Sequence, residues 1–248
     1  MRAPGGFELL HVNGATLFVR AGLADFMTGA VREHGTLRAW SERNSLRALE
    51  GRTTAHVVDI EGSMGVVRHY VRGGSVASGL GDRYLRAGSP RPYRELWISE
   101  LARAREVPAP AVLAAAIYTA GLFYRGDLVT EFIAGAEDLA TLSVGERRRD
   151  TADRLAAWRA AGRMLHRIAI AGFVHADLNL RNVLIAWRSG EPEAWVIDLD
   201  RARVRHRASP ADLDAMVKRL HQSAAKFERQ SATSLRAELA ALDQSLRE

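Results

Sequence analysis

The sequence predicts an α+β protein of two lobes, with a small antiparallel β-rich N-terminal lobe that carries one inserted helix and a larger, mainly α C-terminal lobe. The first part of the chain consists of short apolar runs separated by glycine-containing turns, whereas the later part holds long stretches with helical spacing of apolar residues. A chain of 248 residues, 47% of them hydrophobic, is long enough for two such lobes. We place the lobe boundary so that residues 1–133 form the first lobe and residues 134–248 the second.

The composition excludes several kinds of site. The absence of cysteine rules out disulfides, thiolate metal sites and a cysteine nucleophile. Lysine occurs only at Lys218 and Lys226, so a phosphate-binding loop of the form GxxxxGK[ST] is also excluded. The N-terminus lacks the apolar core of a signal peptide, and the longest apolar stretch, residues 109–124, is interrupted and too short to cross a bilayer comfortably. We therefore expect a soluble, unsecreted protein.

The chain is strongly basic, with a net charge of +6 and a pI near 10.2. Such a surface attracts phosphate-rich partners, namely nucleic acid, nucleotides or anionic lipid. The abundance of arginine and alanine is equally typical of a compositional bias of the source genome. The charge alone therefore leaves the partner open.

The N-terminal segment predicts a β-hairpin followed by a helix. FELLHV and ATLFVR are apolar runs joined by Asn13-Gly14, a dipeptide that favours the positive φ angles of a tight hairpin turn. Residues 22–34 then predict a short helix.

Residues 46–71 predict three strands of a small sheet. LRALE leads through Gly51–Thr54 into AHVVDI, and a turn at Glu61–Ser63 leads into MGVVRHYV. The remaining strands of this lobe are predicted at Ala111–Thr119, at Gly121–Tyr124 and, after a turn at Arg125–Asp127, at Leu128–Ile133.

Three stretches have the apolar spacing of helices. The inserted helix is predicted over Tyr93–Glu106. Gly145–Ile170 is rich in alanine, leucine, arginine and glutamate and predicts one long helix with Trp158 and Leu165 in its buried stripe. Beyond Asp212 the pattern is helical to the end of the chain.

Polar side chains flank a predicted hairpin made of the strands Val183–Trp187 and Ala194–Ile197. The loop HADLNLRN ends at Asn182, just before the first strand, and Asp198 follows the second. Pairing of the strands brings Asn182 and Asp198 together, where their oxygens suit a hard cation such as Mg²⁺. Asp177 lies just beyond, where it can accept a proton from an attacking hydroxyl. Phosphoryl transfer needs such a metal and such a carboxylate.

Aspartate and asparagine in loops are most often turn or cap residues, and we give Asn179 that role. We expect His175 to be a scaffold residue that hydrogen-bonds the backbone near Asp198. Asp177, Asn182 and Asp198 fit one combined pattern: HxDxxxxN, a strand, a turn, a second strand, two apolar residues and Asp. This pattern favours a functional role for these three side chains.

These motifs resemble those of the protein-kinase-like fold. HADLNLRN is similar to its catalytic loop, and IDLD stands where protein kinases carry the metal-binding Asp-Phe-Gly. The resemblance implies ATP and Mg²⁺ as cofactors, Gly51 in a reduced phosphate-covering loop, and Glu95 paired with Arg68 on the third strand. It also implies a hinge that includes Glu131 and Ile133 and whose backbone groups face adenine.

The sequence departs from protein kinases in ways that argue against a protein substrate. Arg68 stands where lysine is usual, Ala176 replaces the arginine that reads a phosphorylated loop, and Asp200 replaces the motif glycine. Arginine can still clamp phosphates, although its planar fork is bulkier. The segment 201–210 is too short for a peptide-binding platform, which suits a small-molecule or lipid-linked acceptor.

A closer resemblance covers roughly residues 45–225. VVRHYVRGG, GDRYL, YRELWISELA, GLFYRGDLVTEFI, HADLNLRNVLI and VIDLDRAR are similar to the 3-deoxy-D-manno-octulosonic acid (Kdo) kinases of the lipopolysaccharide kinase family. The resemblance implies transfer of the γ-phosphoryl group of ATP to a Kdo hydroxyl, the 4-hydroxyl in characterised relatives. The acceptor would be a Kdo-containing lipid A precursor.

This resemblance also implies a location and partners. We expect peripheral contact with the anionic cytoplasmic face of the inner membrane of a Gram-negative bacterium. We expect no nucleic acid and no obligate protein partner. Arg72 and Arg83 flank the RGG loop and either meet ATP or the acceptor or are simply solvated.

Two alternatives stay open at this point. One is a kinase of the same fold that acts on heptose, an antibiotic or another small-molecule hydroxyl. The other is a catalytically inactive basic module that binds anionic lipid or nucleic acid. The missing lysine slightly favours the inactive module, and the joint spacing of Asp177, Asn182 and Asp198 counts against it.

Overall fold

The computed structural model describes residues 1–49, 54–71 and 81–247. Contacts divide the chain into two compact units. The first comprises Met1–Glu100 and Ala111–Phe132, and the second comprises Leu101–Pro110 and Ile133–Glu248.

The first unit is built on an antiparallel sheet of eight strands: β1 (Phe7–Val12), β2 (Ala15–Arg20), β3 (Arg47–Leu49), β4 (Ala55–Ile60), β5 (Ser63–His69), β6 (Tyr84–Leu85), β7 (Val112–Ala120) and β8 (Phe123–Glu131). Their order across the sheet is β1-β2-β7-β8-β5-β4-β3, and β6 pairs with β8. The tight turn between β1 and β2 has positive φ at Asn13 and Gly14, as the sequence predicted. The three strands predicted between residues 46 and 71 are also confirmed.

The predicted turn at Arg125–Asp127 is wrong, because these residues lie inside the continuous strand β8. The chain reverses earlier, at Gly121, where φ is +58°. Gly126 serves packing instead: a Cβ atom there would overlap the Pro92 side chain and lie 3.1 Å from the Ala116 carbonyl oxygen. The glycine therefore marks a close approach of Pro92 to the sheet and not a reversal of the chain.

Side chains on the two faces of this sheet enter separate apolar clusters, as the period of two along a strand requires. Leu17 and Val129 lie in one cluster, and their neighbours Phe18 and Leu128 lie in the other. The first cluster also receives residues of α1 (Ala24–His34) and α2 (Leu37–Arg43), and the second receives Leu96 of α3 (Arg91–Ala104).

Helix α2 was not expected from the sequence. It is only seven residues long, too short for a clear apolar repeat. Thr36 caps it, because the Thr36 hydroxyl accepts a hydrogen bond from the Ala39 backbone N–H at 3.0 Å.

The second unit is mainly helical. Its long helix begins at Thr151 rather than at Gly145, because the Asp150 side chain caps it by accepting from the Asp153 N–H at 2.9 Å. The helical C-terminus is two helices, since the chain turns at Ala232 with φ of +52°. The helices are α4 (Leu139–Ser143), α5 (Thr151–Ile170), α6 (Pro210–Ser231), which carries both lysines on its exposed surface, and α7 (Arg236–Ser245).

Helices α5 and α7 pack closely through Gly162. A Cβ atom at this position would overlap the Ser245 hydroxyl and lie 3.0 Å from the Leu242 carbonyl oxygen. A buried ion pair joins the same helices, with Arg154 Nε donating to Glu238 Oε1 at 2.7 Å. The C-terminal helix is therefore part of the core of this unit.

Two small sheets complete the second unit. One consists of β9 (Glu137–Asp138), β11 (Val183–Arg188) and β12 (Glu191–Val196) in the order β12-β11-β9. The other pairs β10 (Phe173–Val174) with β13 (Arg203–Val204). Within the described ranges, no helix is long and apolar enough to cross a membrane.

Candidate active site

The hairpin β11–β12 pairs the two strands that the sequence predicted. Val183 pairs with Val196, and the Ile197 N–H donates to the Asn182 carbonyl oxygen at 3.1 Å. The segment that ends at Asn182 and the segment that begins at Asp198 therefore lie side by side at one end of the hairpin.

His175 holds this end of the hairpin together. The Asp177 N–H donates to His175 Nδ1 at 3.2 Å, so Nδ1 carries no proton and the Nε2–H donates to the Ile197 carbonyl oxygen at 3.0 Å. This is the scaffold role near Asp198 that the sequence suggested. One imidazole thus ties the backbone of Asp177 to the residue that precedes Asp198.

The electrostatic surroundings keep His175 in this neutral form. Burial lowers the pKa of the imidazole, although its bond to the Ile197 carbonyl and the nearby carboxylates of Asp198, Asp177 and Asp200 oppose the shift. A neutral ring is required here, because a protonated Nδ1 could not accept from the Asp177 N–H.

The Asp177 carbonyl oxygen is fixed by two side-chain amides. The Nδ2 atoms of Asn179 and Asn182 both donate to it at 3.0 Å. Asn179 also caps the following turn, where its Oδ1 accepts from the Arg181 N–H, which is the cap role expected for it. With its backbone held on both sides, Asp177 still presents a carboxylate that is 51% exposed, within 3.8 Å of Arg201 Nη1.

Asn182 and Asp198 supply oxygens suited to a magnesium ion. Because Asn182 donates through Nδ2 to the Asp177 carbonyl, its Oδ1 is the group that can bind a cation. Asp198 has a left-handed backbone, with φ of +63° and ψ of +54°, a conformation that costs a non-glycine residue about 1 kcal/mol. Strained residues of this kind are concentrated at functional sites.

The described residues contain no cluster of three or more His, Asp or Glu side chains that could hold a metal ion by itself. Mg²⁺ is usually held by one or two protein oxygens together with substrate phosphates and water. The pair Asn182 and Asp198 fits that pattern, in which the nucleotide completes the site.

Arg68 and Glu95 form a second site within the first unit. Arg68 Nη2 donates to both carboxylate oxygens of Glu95, at 2.6 and 2.7 Å, and Glu95 is only 3% exposed. The Tyr70 hydroxyl donates to Glu95 Oε2, and the Arg68 guanidinium lies 4.8 Å from the Tyr70 ring centroid. Strand β5 and helix α3 thus form the predicted pair, with a tyrosine added to it.

The structure also joins the RHY and DRYL motifs through side-chain contacts, a relationship that the sequence does not predict. His69 Nδ1 lies 2.6 Å from Asp127 Oδ1, and His69 Nε2 lies 3.1 Å from Asp82 Oδ2. Burial alone would raise the pKa of Asp82, but its bond with His69 and the charge of Arg125 lower it. The signal in the sequence for the contact between His69 and Asp82 is the joint occurrence of the RHY and DRYL motifs.

Asp127 is the buried centre of this network. Its Oδ2 accepts from the Tyr118 hydroxyl at 2.8 Å and from the Arg38 N–H in α2 at 2.9 Å. Burial, with a further contribution from the Asp127 charge, raises the pKa of Tyr118 well above its usual value. The network fixes β5, the strand that carries Arg68, to β8 and α2.

The remaining predicted residues keep their roles as predictions. Glu131 ends β8, and its N–H donates to the Ala111 carbonyl oxygen at 2.8 Å. Ile133 is buried, and its carbonyl oxygen accepts from the Ala136 N–H at 3.1 Å. Gly51 lies outside the described residues.

Comparisons with known proteins agree on one family for this chain. A model of the lipopolysaccharide kinase (Kdo/WaaP) family matches residues 38–238. A protein of Stenotrophomonas maltophilia (strain K279a) named 3-deoxy-D-manno-octulosonic acid kinase is 33% identical over 216 residues, which cover 86% of this chain and 81% of that protein. A protein of the same name from Xanthomonas axonopodis pv. citri (strain 306) is 34% identical over 192 residues, covering 77% and 73% of the two chains.

A third protein of that name, from Vibrio cholerae serotype O1, is 30% identical over 169 residues, covering 67% of this chain and 68% of its own. A solved structure described as WaaP in complex with acyl carrier protein matches with a TM-score of 0.56 and 16% identity, covering 93% of this chain and 88% of that chain. At this identity the structural match shows the fold alone, and it confirms the predicted kinase-like α+β fold.

Proposed function

The chain belongs to the lipopolysaccharide kinase (Kdo/WaaP) family, and on that premise we propose that it transfers the γ-phosphoryl group of ATP to a hydroxyl of the Kdo sugar of lipopolysaccharide. The observation that carries this proposal is the arrangement at the end of the β11–β12 hairpin. There the His175 ring ties Asp177 to the strand end before Asp198, and Asn182 contacts both segments.

In this reaction Asp177 acts as the general base. Its carboxylate accepts the proton of the attacking sugar hydroxyl while the hydroxyl oxygen forms a bond to the γ-phosphorus. The bond between that phosphorus and the β–γ bridging oxygen breaks, and ADP leaves with that electron pair. The two amide donors on the Asp177 carbonyl oxygen and the bond to His175 restrict the motion of the loop that carries the base.

Asn182 and Asp198 are the residues that would hold Mg²⁺. When bound there, the ion would neutralise charge on the phosphate oxygens. Asn182 has a second task, because its amide also orients Asp177.

Arg68 is the cation proposed for the α and β phosphates of ATP. Its guanidinium stays charged at every physiological pH, and the buried Glu95 carboxylate holds it in place. The ion pair with Glu95 supports the proposal that Arg68 does the work of the lysine that is usual at this position. We keep Gly51, Glu131 and Ile133 as proposed nucleotide contacts.

We further propose that the acceptor is a Kdo-containing lipid A precursor and that the accepting group is the 4-hydroxyl. The short segment 201–210 lacks room for a peptide platform, which favours a sugar or lipid-linked acceptor. The net charge of +6 supports peripheral binding to the anionic cytoplasmic face of an inner membrane. That no obligate protein partner is needed stays a prediction.

The deciding experiment is an acceptor assay with purified protein, Mg-ATP and a Kdo-containing lipid A precursor. We expect a product with one added phosphoryl group by mass spectrometry, and fragmentation or NMR then locates the phosphate on the sugar. No product from folded protein would overturn the proposal. Transfer rates measured in parallel with heptose, aminoglycoside and Kdo acceptors distinguish a Kdo kinase from kinases of the same fold that act on other hydroxyls.

The alternatives are not favoured by the relatives, which share the name Kdo kinase. An inactive basic module makes a distinct prediction, namely that Mg-ATP and ATP with chelator shift the melting temperature equally. We expect a larger shift with Mg-ATP, since the site at Asn182 and Asp198 needs the ion.

A further inference from the structure

Four arginines alternate along the chain directly after the candidate metal site. Residues 201–207 read RARVRHR, and Arg201, Arg203, Arg205 and Arg207, together called the arginine strip, are all exposed. Arg203 and Val204 form β13, and Arg205 follows it directly. The proposed mechanism gives no role to this strip.

Backbone hydrogen bonds hold the strip in place. Val204 and Arg203 pair with Phe173 and Val174 of β10, and the Arg205 N–H donates to the Gly172 carbonyl oxygen at 2.7 Å. Gly172 has φ of +80°, and a Cβ atom there would overlap the Arg205 carbonyl oxygen. Because β10 runs directly into His175, the strip is fixed to the strand that leads into the catalytic loop.

The charge of the strip is only partly balanced. Arg201 Nη1 lies 3.8 Å from Asp177 Oδ2, and Arg205 Nη2 lies 3.7 Å from Asp212 Oδ1, both at the long end of the salt-bridge range. Arg203 and Arg207 make no salt bridge with any residue that the structure describes. Exposed pairs of this kind contribute little to stability, so folding does not explain four arginines here.

We propose that the arginine strip binds the anionic groups of the acceptor, namely the carboxylate of the Kdo sugar and the phosphates of its lipid A anchor. Guanidinium forks match carboxylate and phosphate oxygens in pairs, and they keep their charge at any physiological pH. This inference rests on the proposed kinase function and names the part of the molecule that recognises the substrate.

The position of Arg201 links binding to chemistry. The Kdo carboxylate and the accepting hydroxyl belong to one sugar ring, so a carboxylate held at Arg201 keeps that hydroxyl near Asp177. Binding there also replaces the loose contact between Arg201 and Asp177, which leaves the base open to the incoming hydroxyl. The other arginines then meet the more distant phosphates.

The test compares two double variants with the same loss of charge. Arg203→Gln/Arg207→Gln removes the two strip arginines without a described salt bridge. Arg159→Gln/Arg163→Gln removes two exposed arginines from α5. We expect the strip variant to raise the KM for the Kdo–lipid A precursor at least tenfold, with the KM for ATP and the melting temperature unchanged, and the control to match the wild type. An equal effect of both variants, or none in either, would overturn the inference.

Binding without ATP separates this inference from the proposed function. Titration calorimetry with free Kdo tests the carboxylate alone, and Kdo-free phosphorylated lipid A in neutral detergent micelles tests the phosphates alone. For the wild type we expect weak binding of each and strong binding of the joined acceptor. The strip variant should keep the weak binding of free Kdo, because Arg201 is unchanged, and should lose the binding of the lipid A phosphates and most of the affinity for the joined acceptor. If the wild type transfers phosphate but the strip variant binds the acceptor normally, the strip inference fails and the kinase proposal stands. If the wild type transfers nothing yet binds through the strip, the kinase proposal fails alone.

Discussion

The Tyr70 hydroxyl donates a hydrogen bond to the buried carboxylate of Glu95. The same carboxylate accepts two hydrogen bonds from Arg68, and Tyr70 also offers its ring face to that guanidinium. Tyr70 is therefore a positioning residue for the cation proposed to bind the ATP phosphates.

We predict that Tyr70→Phe raises the KM for ATP by roughly three- to tenfold, since one hydrogen bond to a buried charged group is lost. The kcat at saturating ATP and the KM for the acceptor should stay close to wild type in steady-state assays. Tyr124→Phe is the matched control, because its hydroxyl accepts from the Arg91 N–H and does not contact Glu95. Equal KM values for ATP in the two variants would contradict the positioning role.

Substitution of the proposed base should separate chemistry from nucleotide binding. We predict that Asp177→Asn lowers kcat by roughly 10²- to 10⁴-fold, because the amide cannot accept the proton of the sugar hydroxyl. The dissociation constant for Mg-ATP, measured by calorimetry, should change less than about threefold, where a tenfold change corresponds to about 1.4 kcal/mol. A variant with near-normal turnover would show that Asp177 is not the base.

Substitution of the proposed metal ligand should have the opposite signature. We predict that Asp198→Asn weakens the binding of Mg-ATP by at least about tenfold, with a much smaller effect on metal-free ATP. Asp214→Asn, which neutralises an exposed acid on α6, is the control for loss of charge. Unchanged Mg-ATP affinity in the Asp198 variant would remove its role as a ligand.

His175 should make stability depend on pH. Its pKa is lowered in the folded state, so the unfolded chain binds more protons as the pH falls through the ordinary range of histidine near 6.5. The contribution of neutral His175 is therefore complete above that range and is lost below it, by at most about 1.4 kcal/mol per pH unit. Urea unfolding of the wild type and of His175→Gln at pH 5 to 8 checks this. We expect the free energy of unfolding of the wild type to fall more steeply below pH 6.5, and parallel curves would be the contrary result.

Two glycines in helices should respond oppositely to alanine. Gly162→Ala forces a methyl group into the Ser245 hydroxyl between α5 and α7, so we predict a loss of about 1–3 kcal/mol in the free energy of unfolding. Gly29 in α1 has no neighbouring atom within 4 Å of an added Cβ, so Gly29→Ala should stabilise by about 0.5–1 kcal/mol. Chemical denaturation measures both, and the same sign in the two variants would refute the packing argument.

The sequence could predict features that depend on nearby residues. The Asn13-Gly14 turn forms its hairpin through local backbone preference, and the spacing of Asn182 and Asp198 around a short hairpin brings their segments together in any correct register. Asn179 could be identified as a cap for the same reason.

Features that depend on distant contacts were not predictable in this way. Gly126 has the local signature of a turn, yet its reason for being glycine is the Pro92 side chain of α3. Asp127 contacts His69, Tyr118 and the backbone at the start of α2, and no local sequence pattern connects these residues.

Helix α6 has a practical consequence. It carries Lys218 and Lys226, which are the only lysines of the chain, and both are exposed. Amine-reactive dyes, cross-linkers and sensor-chip coupling reagents will therefore label this one helix and the α-amino group. Such labelling leaves Arg68 and the arginine strip chemically untouched, so a tethered or fluorescent form of the protein should keep the groups on which the assays above depend.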